Sequence, residues 1–331
     1  MAARLDAPVL GVQDNNYTGP DTWQVSTTWR YQRSHRHFVG DVEQVQRARD
    51  HSEVINNINQ PELGIRYNAD DLWSFSLGIP YLIAERSSPI RDAHRVVVDR
   101  SISASHGVGD ITIVARRLLW HPNAHPDGNV SFGLGIKLPT GADNVLDSRT
   151  RIVNGQRVNT IETNDQSIQP GDGGFGAVLD LGAFQRVAHT GLALYFSGTY
   201  LLNPRNTNGV LTYRGDPNEQ VMSVADQYLV RLGGTYTTAG WKGFGVGLGG
   251  RWEGVPVRDL IGSSNGFRRP GSAVSVEPSL SYSHGPHTFS LAVPVAVYRD
   301  RPRSVADLIS GGAGDAAFAD YIIFLGYWRK F

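Results

Sequence analysis

Charged side chains recur at alternating positions along this chain, interleaved with apolar residues, and they are the groups best able to do chemistry. The basic members of this polar face are Arg30, Arg66, Arg116, Lys137, Arg186, Arg231, Arg251 and Lys330, and the acidic members are Glu62, Asp110, Asp180, Glu253, Glu277 and Asp320. Guanidinium groups bind carboxylates through paired hydrogen bonds, and charges that line a passage replace part of a solute's hydration shell. Two hypotheses follow, in which the charges either line a polar pore or pair with one another and fill its interior.

Histidine is the side chain most often used as a general base near neutral pH, and the sequence contains ten. Only His106 has candidate nucleophiles beside it, because Ser103 and Ser105 are close and Asp99 and Asp110 are near in sequence. Such a group would suit a lipid hydrolase. A serine and a histidine in a polar segment usually coincide by chance, so we expect that the protein is not an enzyme.

Composition excludes several other kinds of site. The sequence contains no cysteine, which excludes a cysteine nucleophile, a cysteine-ligated zinc site, an iron–sulfur cluster and a disulfide scaffold. The 31 Lys and Arg residues balance 31 Asp and Glu, so there is no basic excess to hold a nucleic acid. One long segment does hold five carboxylates, namely Asp143, Asp147, Glu162, Asp165 and Asp172. Their spacing matches no EF-hand, so we expect a solvated loop and no metal or cofactor.

Apolar and polar residues alternate with a period of two, so the elements that position the charged side chains are expected to be strands. Phe289, Leu291 and Val293, for example, interleave with Ser290 and Ala292. This period indicates strands with one apolar and one polar face. It predicts twelve strands, over residues 22–33, 61–68, 72–84, 107–120, 129–139, 174–187, 191–203, 223–237, 243–254, 272–283, 287–298 and 317–331.

The connections between these strands alternate between short and long. The long ones are 34–60, 85–106, 140–173, 204–222, 255–271 and 299–316. Short turns at one end, long loops at the other and bands of Trp and Tyr near both ends are typical of outer-membrane barrels. We therefore predict an all-β fold, a transmembrane antiparallel up-and-down β-barrel of about twelve strands, with short periplasmic turns and long extracellular loops.

The ends of the chain fit this prediction. The last predicted strand alternates apolar residues and ends at Phe331, which resembles the C-terminal signature read by the barrel assembly machinery. Residues 1–21 are expected to form a periplasmic N-terminal segment, and residues 22–331 a single barrel domain. Residues Met1–Asp6 do not lead into the apolar core of a signal peptide. We therefore expect a mature bacterial outer-membrane chain from which the signal peptide was removed.

Two of the long loops have predicted features of their own. The longest, 140–174, could fold inward and narrow the lumen, and residues 42–58 carry apolar spacing that predicts a short helix. Arginines in the loops could pair with lipopolysaccharide phosphates, although ordinary solvated charge is the simpler interpretation. The expected partners are outer-membrane lipid and lipopolysaccharide, a small-molecule solute and the barrel assembly machinery, with no nucleic acid.

Three glycine-rich motifs stand at predicted strand ends. They are Gly107-Val108-Gly109-Asp110, Lys137-Leu138-Pro139-Thr140-Gly141 and Pro170-Gly171-Asp172-Gly173-Gly174-Phe175-Gly176. Their order resembles that of the outer-membrane family of the MetA pathway of phenol degradation, a group of transporters. The resemblance covers residues 107–203 by motif and implies uptake of small, aromatic or hydrophobic compounds. It supplies no site residues to transfer.

Taken together, these patterns predict an outer-membrane channel for passive diffusion or uptake of small solutes, with a weak anion preference at most. The predicted pore-lining residues are Arg30, Arg66, Asp110, Arg116, Lys137, Asp180, Arg231, Arg251, Glu253 and Glu277. The alternatives are a plugged structural or adhesive barrel, an outer-leaflet lipid hydrolase built on His106, and a soluble β protein.

Overall fold

The alternating segments form a sheet that closes on itself as a barrel of twelve antiparallel strands. The computed structural model describes residues 19–237, 240 and 242–331, so the predicted segment 1–21 lies almost wholly outside the described residues. The strands are β1 Thr22–Val39, β2 Val42–Glu43, β3 Ile55–Asn68, β4 Trp73–Arg91, β5 Val97–Val108, β6 Ile111–Leu118, β7 Gly128–Leu138, β8 Leu146–Val153, β9 Gln156–Thr163, β10 Gly176–Arg186, β11 Leu192–Leu202, β12 Thr207–Leu211, β13 Val221–Ser223, β14 Gln227–Thr237, β15 Phe244–Val255, β16 Gly271–His284, β17 His287–Ala292, β18 Val295–Asp300 and β19 Ala316–Lys330. Strands β5 and β6 form one interrupted barrel strand, as do β17 and β18, while β2, β8, β9, β12 and β13 belong to the loops.

Closure of the barrel depends on the pairing of its first and last strands. Thr27 of β1 pairs with Leu63 of β3 on one side and with Tyr327 of β19 on the other. A closed ring leaves no strand edge with unpaired backbone groups, which is the condition for a sheet to stand in hydrocarbon.

Burial in this barrel is the reverse of that in a soluble protein. Leu134, Leu232 and Leu248 on the outer face are 69%, 63% and 61% exposed, whereas Arg251 and Glu277 on the inner face are 2% and 1% exposed. Large exposed apolar side chains on every second residue of successive strands are stable only against lipid. Aromatic pairs lie at both rims of this apolar band. The ring centroids of Trp23 and Tyr67 are 4.6 Å apart near the periplasmic turns, and those of Tyr228 and Trp252 are 4.9 Å apart near the extracellular loops.

Each of the twelve predicted segments coincides with a barrel strand, but several strands are longer than the alternation indicates. The prediction of an open loop over 85–106 is wrong, because β4 continues to Arg91 and β5 begins at Val97. Here both faces of the sheet carry polar side chains such as Ser87, Ser88 and Arg100. Above the membrane neither face of the sheet needs to be apolar. The alternation of apolar and polar residues is therefore lost there, although the strands remain hydrogen-bonded.

Helix is confined to short pieces of the loops. The helices are α1 (Gln46–Arg49) and α2 (Val305–Ser310), and the latter is preceded by a capping box between Ser304 and Asp307. The predicted helix over residues 42–58 is therefore wrong except for one turn, since β3 already begins at Ile55. Among the described residues, no helix has the length and apolar character needed to span a membrane.

The pairing of β18 with β19 is reduced to the single pair Val295↔Tyr321. Above that pair the guanidinium group of Arg299 bridges the two strands. Its Nε and one terminal nitrogen lie 3.1 and 3.0 Å from the carbonyl oxygen of Ala319, and the same terminal nitrogen lies 3.0 Å from Asp320 Oδ1. A side chain thus supplies the donors that the neighbouring backbone would otherwise provide.

Replacing Arg299 should destabilise the barrel. Arg299→Met leaves the buried Ala319 carbonyl without its donors, which typically costs about 1–3 kcal/mol. We expect a lower unfolding temperature of the detergent-refolded protein in a heat-modifiability gel assay. Arg33→Met is the matched control, because Arg33 is exposed on β1. Equal unfolding temperatures for the two variants would contradict this role of Arg299.

Candidate functional site

The ten predicted pore-lining residues all lie on the lumen side of the wall or at its extracellular rim, where they form three separate groups. The central cluster consists of Arg30, Arg231, Arg251, Glu253 and Glu277. The periplasmic cluster consists of Arg66, Arg116 and Asp180, and the loop-base cluster of Asp110, Lys137 and the additional residue Asp172. Each group has a different balance of charge, so each can do different chemistry.

The central cluster is held together by ion pairs from which water is nearly excluded. Arg231 pairs with Glu277, while one terminal nitrogen of Arg251 lies 2.7 Å from Glu253 Oε2 and the other lies 3.8 Å from Glu277 Oε2. The Arg251 guanidinium carbon also lies 5.0 Å from the centroid of the Phe324 ring. Two carboxylates and an aromatic face thus surround buried guanidinium groups, an arrangement that fills the lumen locally.

The loop-base cluster brings the three glycine-rich motifs together. Lys137 contacts Asp172 directly and lies 3.5 Å from Asp110 Oδ2, and the backbone nitrogen of Gly141 donates to Asp110 Oδ1 at 3.0 Å. A Cβ at Gly141 would stand 2.7 Å from the backbone nitrogen of Gly171, so the two motifs touch through their main chains. The motifs therefore anchor the long loop 139–175 to the wall, which gives a structural reason for their residue types.

The segment of that loop after β9 is held by a second group of charges, which we name the loop latch. Asp165 is fully buried and accepts hydrogen bonds from two nitrogens of Arg269 at 2.7 and 2.6 Å and from the Tyr213 hydroxyl at 2.7 Å. A nitrogen of Arg86 on β4 lies 3.3 Å away. The latch therefore joins the wall to three extracellular loops. Next to it Ile168 packs inside the mouth against β3 and β4, so this loop does fold inward.

The loop carboxylates are mostly paired, which corrects the expectation of a solvated loop. Burial opposes ionisation of Asp165, but the guanidinium groups of Arg269 and Arg86 hold its pKa well below the usual range. The pKa of Asp315, in the last extracellular loop, is lowered in the same way. Burial opposes ionisation, but a hydrogen bond with His37 and the charge of Arg47 lower the pKa of Asp315 to about 2. The described residues hold no group of three or more metal-ligating side chains.

A cavity of about 490 Å³ extends from Asp110 of the loop-base cluster to the periplasmic turns, and the periplasmic cluster lies in its wall. Residues of the turns 68–73 and 118–128 line one end of it, so it reaches the periplasmic rim of the barrel. Its size falls in the usual range of small-molecule sites. Its wall carries both charge and aromatic surface. The charged side chains are Arg66, Arg116, Arg186, Glu62, Asp70, Asp71, Asp110 and Asp180, and the aromatic ones include Tyr195, Phe324 and Trp328.

The serine and histidine considered for hydrolysis are not brought together. Ser105 is buried and its hydroxyl accepts from Asn164 Nδ2 at 2.7 Å, whereas His106 is the next residue of β5 and is exposed on the opposite face. Asp110 is engaged in the loop-base cluster. The sequence analysis did not identify Trp328 and Tyr195, which are buried and turn towards the lumen.

Comparison with known proteins shows a shared fold. No protein-family description matches the sequence, and no curated protein matches it. An outer membrane channel from Pseudomonas putida F1 aligns over 96% of this chain and 98% of its own, with 11% identity and a TM-score of 0.61. The β domain of the Bordetella autotransporter BrkA aligns over 94% of this chain and 100% of its own, with 13% identity and a TM-score of 0.49. The P. putida toluene transporter TodX aligns over 94% of this chain and 91% of its own, with 10% identity and a TM-score of 0.49. The likeness to the P. putida F1 channel shows that the chain has the fold of an outer-membrane barrel protein.

The central cluster should respond differently to single and double substitution. Glu277→Leu alone removes the partner of Arg231 and leaves buried positive charge uncompensated, which costs about 3–5 kcal/mol. Arg231→Met with Glu277→Leu removes both charges, and we expect it to recover much of that loss. The measurement is a double-mutant cycle on the free energy of unfolding in detergent, with Arg231→Met as the other single variant. Additive losses would show that the two side chains do not interact.

Acid should loosen the extracellular cap, by which we mean the loops held over the barrel mouth by Asp165 and Asp315. A carboxylate whose pKa is depressed in the folded state contributes stability above its unfolded pKa of about 3.9 and loses that contribution as pH falls through the folded value. For Asp315 the folded value is about 2, and that of Asp165 is also lowered. Hydrogen exchange of the loops, corrected for the intrinsic pH effect, should therefore stay slow from pH 7 to about 4 and accelerate between about 4 and 2. Acceleration between pH 7 and 5 would point to other groups.

Proposed function

We propose that this protein is an outer-membrane channel for passive diffusion of small solutes, including aromatic or hydrophobic compounds. The observation that carries the proposal is the cavity of about 490 Å³, which combines polar and aromatic walls and reaches the periplasmic rim. The P. putida F1 protein that shares the barrel over nearly its full length is an outer membrane channel, which supports a channel here too. The motif resemblance to the MetA-pathway family supports the same solute class.

The extracellular loops determine the conducting state of such a channel. The loop latch and the inward-packed Ile168 cover the mouth, so a solute enters from outside only when the cap moves. One observation favours the alternative of a plugged structural barrel, namely the paired and buried central cluster. The two hypotheses differ in whether release of the cap produces conduction.

Conductance of a variant with a weakened latch separates them. In Asp165→Asn the buried guanidinium groups of Arg269 and Arg86 lose their counter-charge, so the loops should open more often. We expect discrete single-channel steps in planar bilayers, with an open probability at least about tenfold above that of the unchanged protein, as a loss of about 1.4 kcal/mol would give.

Asp50→Asn is the matched control for this experiment, because Asp50 is an exposed loop carboxylate whose side chain is 53% accessible. It should leave the open probability unchanged. Correctly folded but silent protein for both Asp165→Asn and the unchanged chain would overturn the channel proposal and support the plugged barrel.

A further inference from the structure

Two arginines converge on the cavity from either side of β4. Arg66 of β3 donates from a terminal nitrogen to Ser74 Oγ at 3.0 Å, and Arg116 of β6 contacts Ser76 Oγ at 3.4 Å. Ser74 and Ser76 stand two residues apart on the same lumen-facing side of β4, which places them roughly 7 Å from one another. The two guanidinium groups therefore face a common part of the cavity.

These two arginines differ in their counter-charge. Arg116 Nε lies 2.6 Å from Asp180 Oδ1, and the other oxygen of Asp180 accepts from Thr199 Oγ1 at 3.1 Å. Arg66 by contrast binds only neutral acceptors, Asn68 Oδ1 at 3.2 Å and Ser74 Oγ, and within the described part of the chain no carboxylate lies within 4.0 Å of it. Among the described residues, Arg66 thus has no carboxylate in direct contact, and Asp180, which acts on it at longer range, is hydrogen-bonded to Arg116.

The neighbouring part of the wall is aromatic. Trp328 of β19 is 4% exposed, and its ring lies across Gly326, where any Cβ would collide with it. Trp328 pairs with Ser26 of β1, and Ser26 pairs with Gly64 of β3. Only one strand separates β19 from β3, so the backbones of Trp328 and Gly64 are roughly 10 Å apart across the wall, and Arg66 lies two residues further along β3. The small side chains at positions 26 and 64 keep the space between them open.

Charge also gives this space a direction. Glu62 lies on the same face of β3 as Arg66, four residues nearer the extracellular end, which is roughly 13 Å along the strand. The carboxylate and the guanidinium group therefore mark two levels of the cavity, and an anionic group is attracted at the Arg66 level.

We propose that the cavity binds a small aromatic monocarboxylate, with the carboxylate on Arg66 beside Arg116 and the ring against Trp328. This inference rests on the proposed channel function and names its solute class. A guanidinium group offers a carboxylate two parallel hydrogen bonds, and an indole face prefers a flat ring to an alkyl chain. An anion that also carries a ring satisfies both parts of the wall.

Equilibrium dialysis of labelled benzoate against the detergent-refolded full chain tests the site without depending on transport. We expect benzoate to bind at least about tenfold more tightly than benzyl alcohol, which lacks the charge, and than acetate, which lacks the ring. Equal binding of benzoate and benzyl alcohol by the unchanged protein would overturn the proposal before any variant is made.

Variants then locate the site. Arg66→Gln should weaken benzoate binding by about tenfold or more, since it removes a charge-assisted pair of hydrogen bonds. Arg117→Gln is the matched control, because the neighbouring Arg117 is exposed on the outer face with its guanidinium 5.9 Å from the centroid of the Trp73 ring. Trp328→Leu should reduce the preference for benzoate over acetate. Unchanged benzoate affinity in both Arg66→Gln and Trp328→Leu would overturn the proposal.

Flux through liposomes that contain the protein separates the inference from the function on which it rests. Specific benzoate binding without flux of any solute would overturn the channel and keep the binding site. Flux of benzoate, benzyl alcohol and acetate at equal rates, with no saturable binding, would support the channel and overturn the site.

Discussion

Hydrocarbon offers the backbone no hydrogen bonds, and the rest of this structure depends on that constraint. Each wall strand must bind both of its neighbours, and the ladder between β1 and β19 completes the ring. Where pairing lapses between β18 and β19, the side chain of Arg299 supplies donors to the Ala319 carbonyl. The same constraint orients the side chains, because a closed sheet with lipid outside must turn its polar residues inward.

Once charges are enclosed, their neighbours decide what they can do. Arg251 and Arg66 are both lumenal arginines, yet the first faces Glu253 and Glu277, whereas within the described residues the second donates hydrogen bonds to Asn68 and Ser74. A guanidinium group already neutralised by two buried carboxylates holds strands together and offers little to a solute. One with neutral acceptors keeps most of its capacity for an anion. The positive charges of the lumen therefore divide into structural and available groups by pairing, not by residue type.

The strands were predictable because lipid demands an apolar residue at every second position, and that demand leaves a direct record in the sequence. The demand ends above the membrane, which is why the continuation of β4 and β5 was predicted as a loop. The side of the wall on which each charge lies followed from the alternation, but its partner did not. Arg231 and Glu277 stand on β14 and β16, with β15 between them, so their contact requires the register of two ladders. The bond between Asp165 and Arg269 spans 104 residues and joins two loops without periodicity.

The long loop is held at its base and at the segment around Asp165 by interactions of different kinds, and this difference decides which of the two can move. At the base, Gly141 and Gly171 touch through their main chains, and Asp110 accepts from the backbone nitrogens of Gly141 and Asp172. The contact of Gly141 with Gly171 depends on chain geometry, whereas the carboxylates of Asp110 and Asp172 also pair with Lys137. The contacts of Asp165 are hydrogen bonds and ion pairs with side chains of separate loops and of β4. Loss of the Asp165 charge breaks its ion pairs with Arg86 and Arg269 at once, so this segment can move while the main-chain contact at the base is kept.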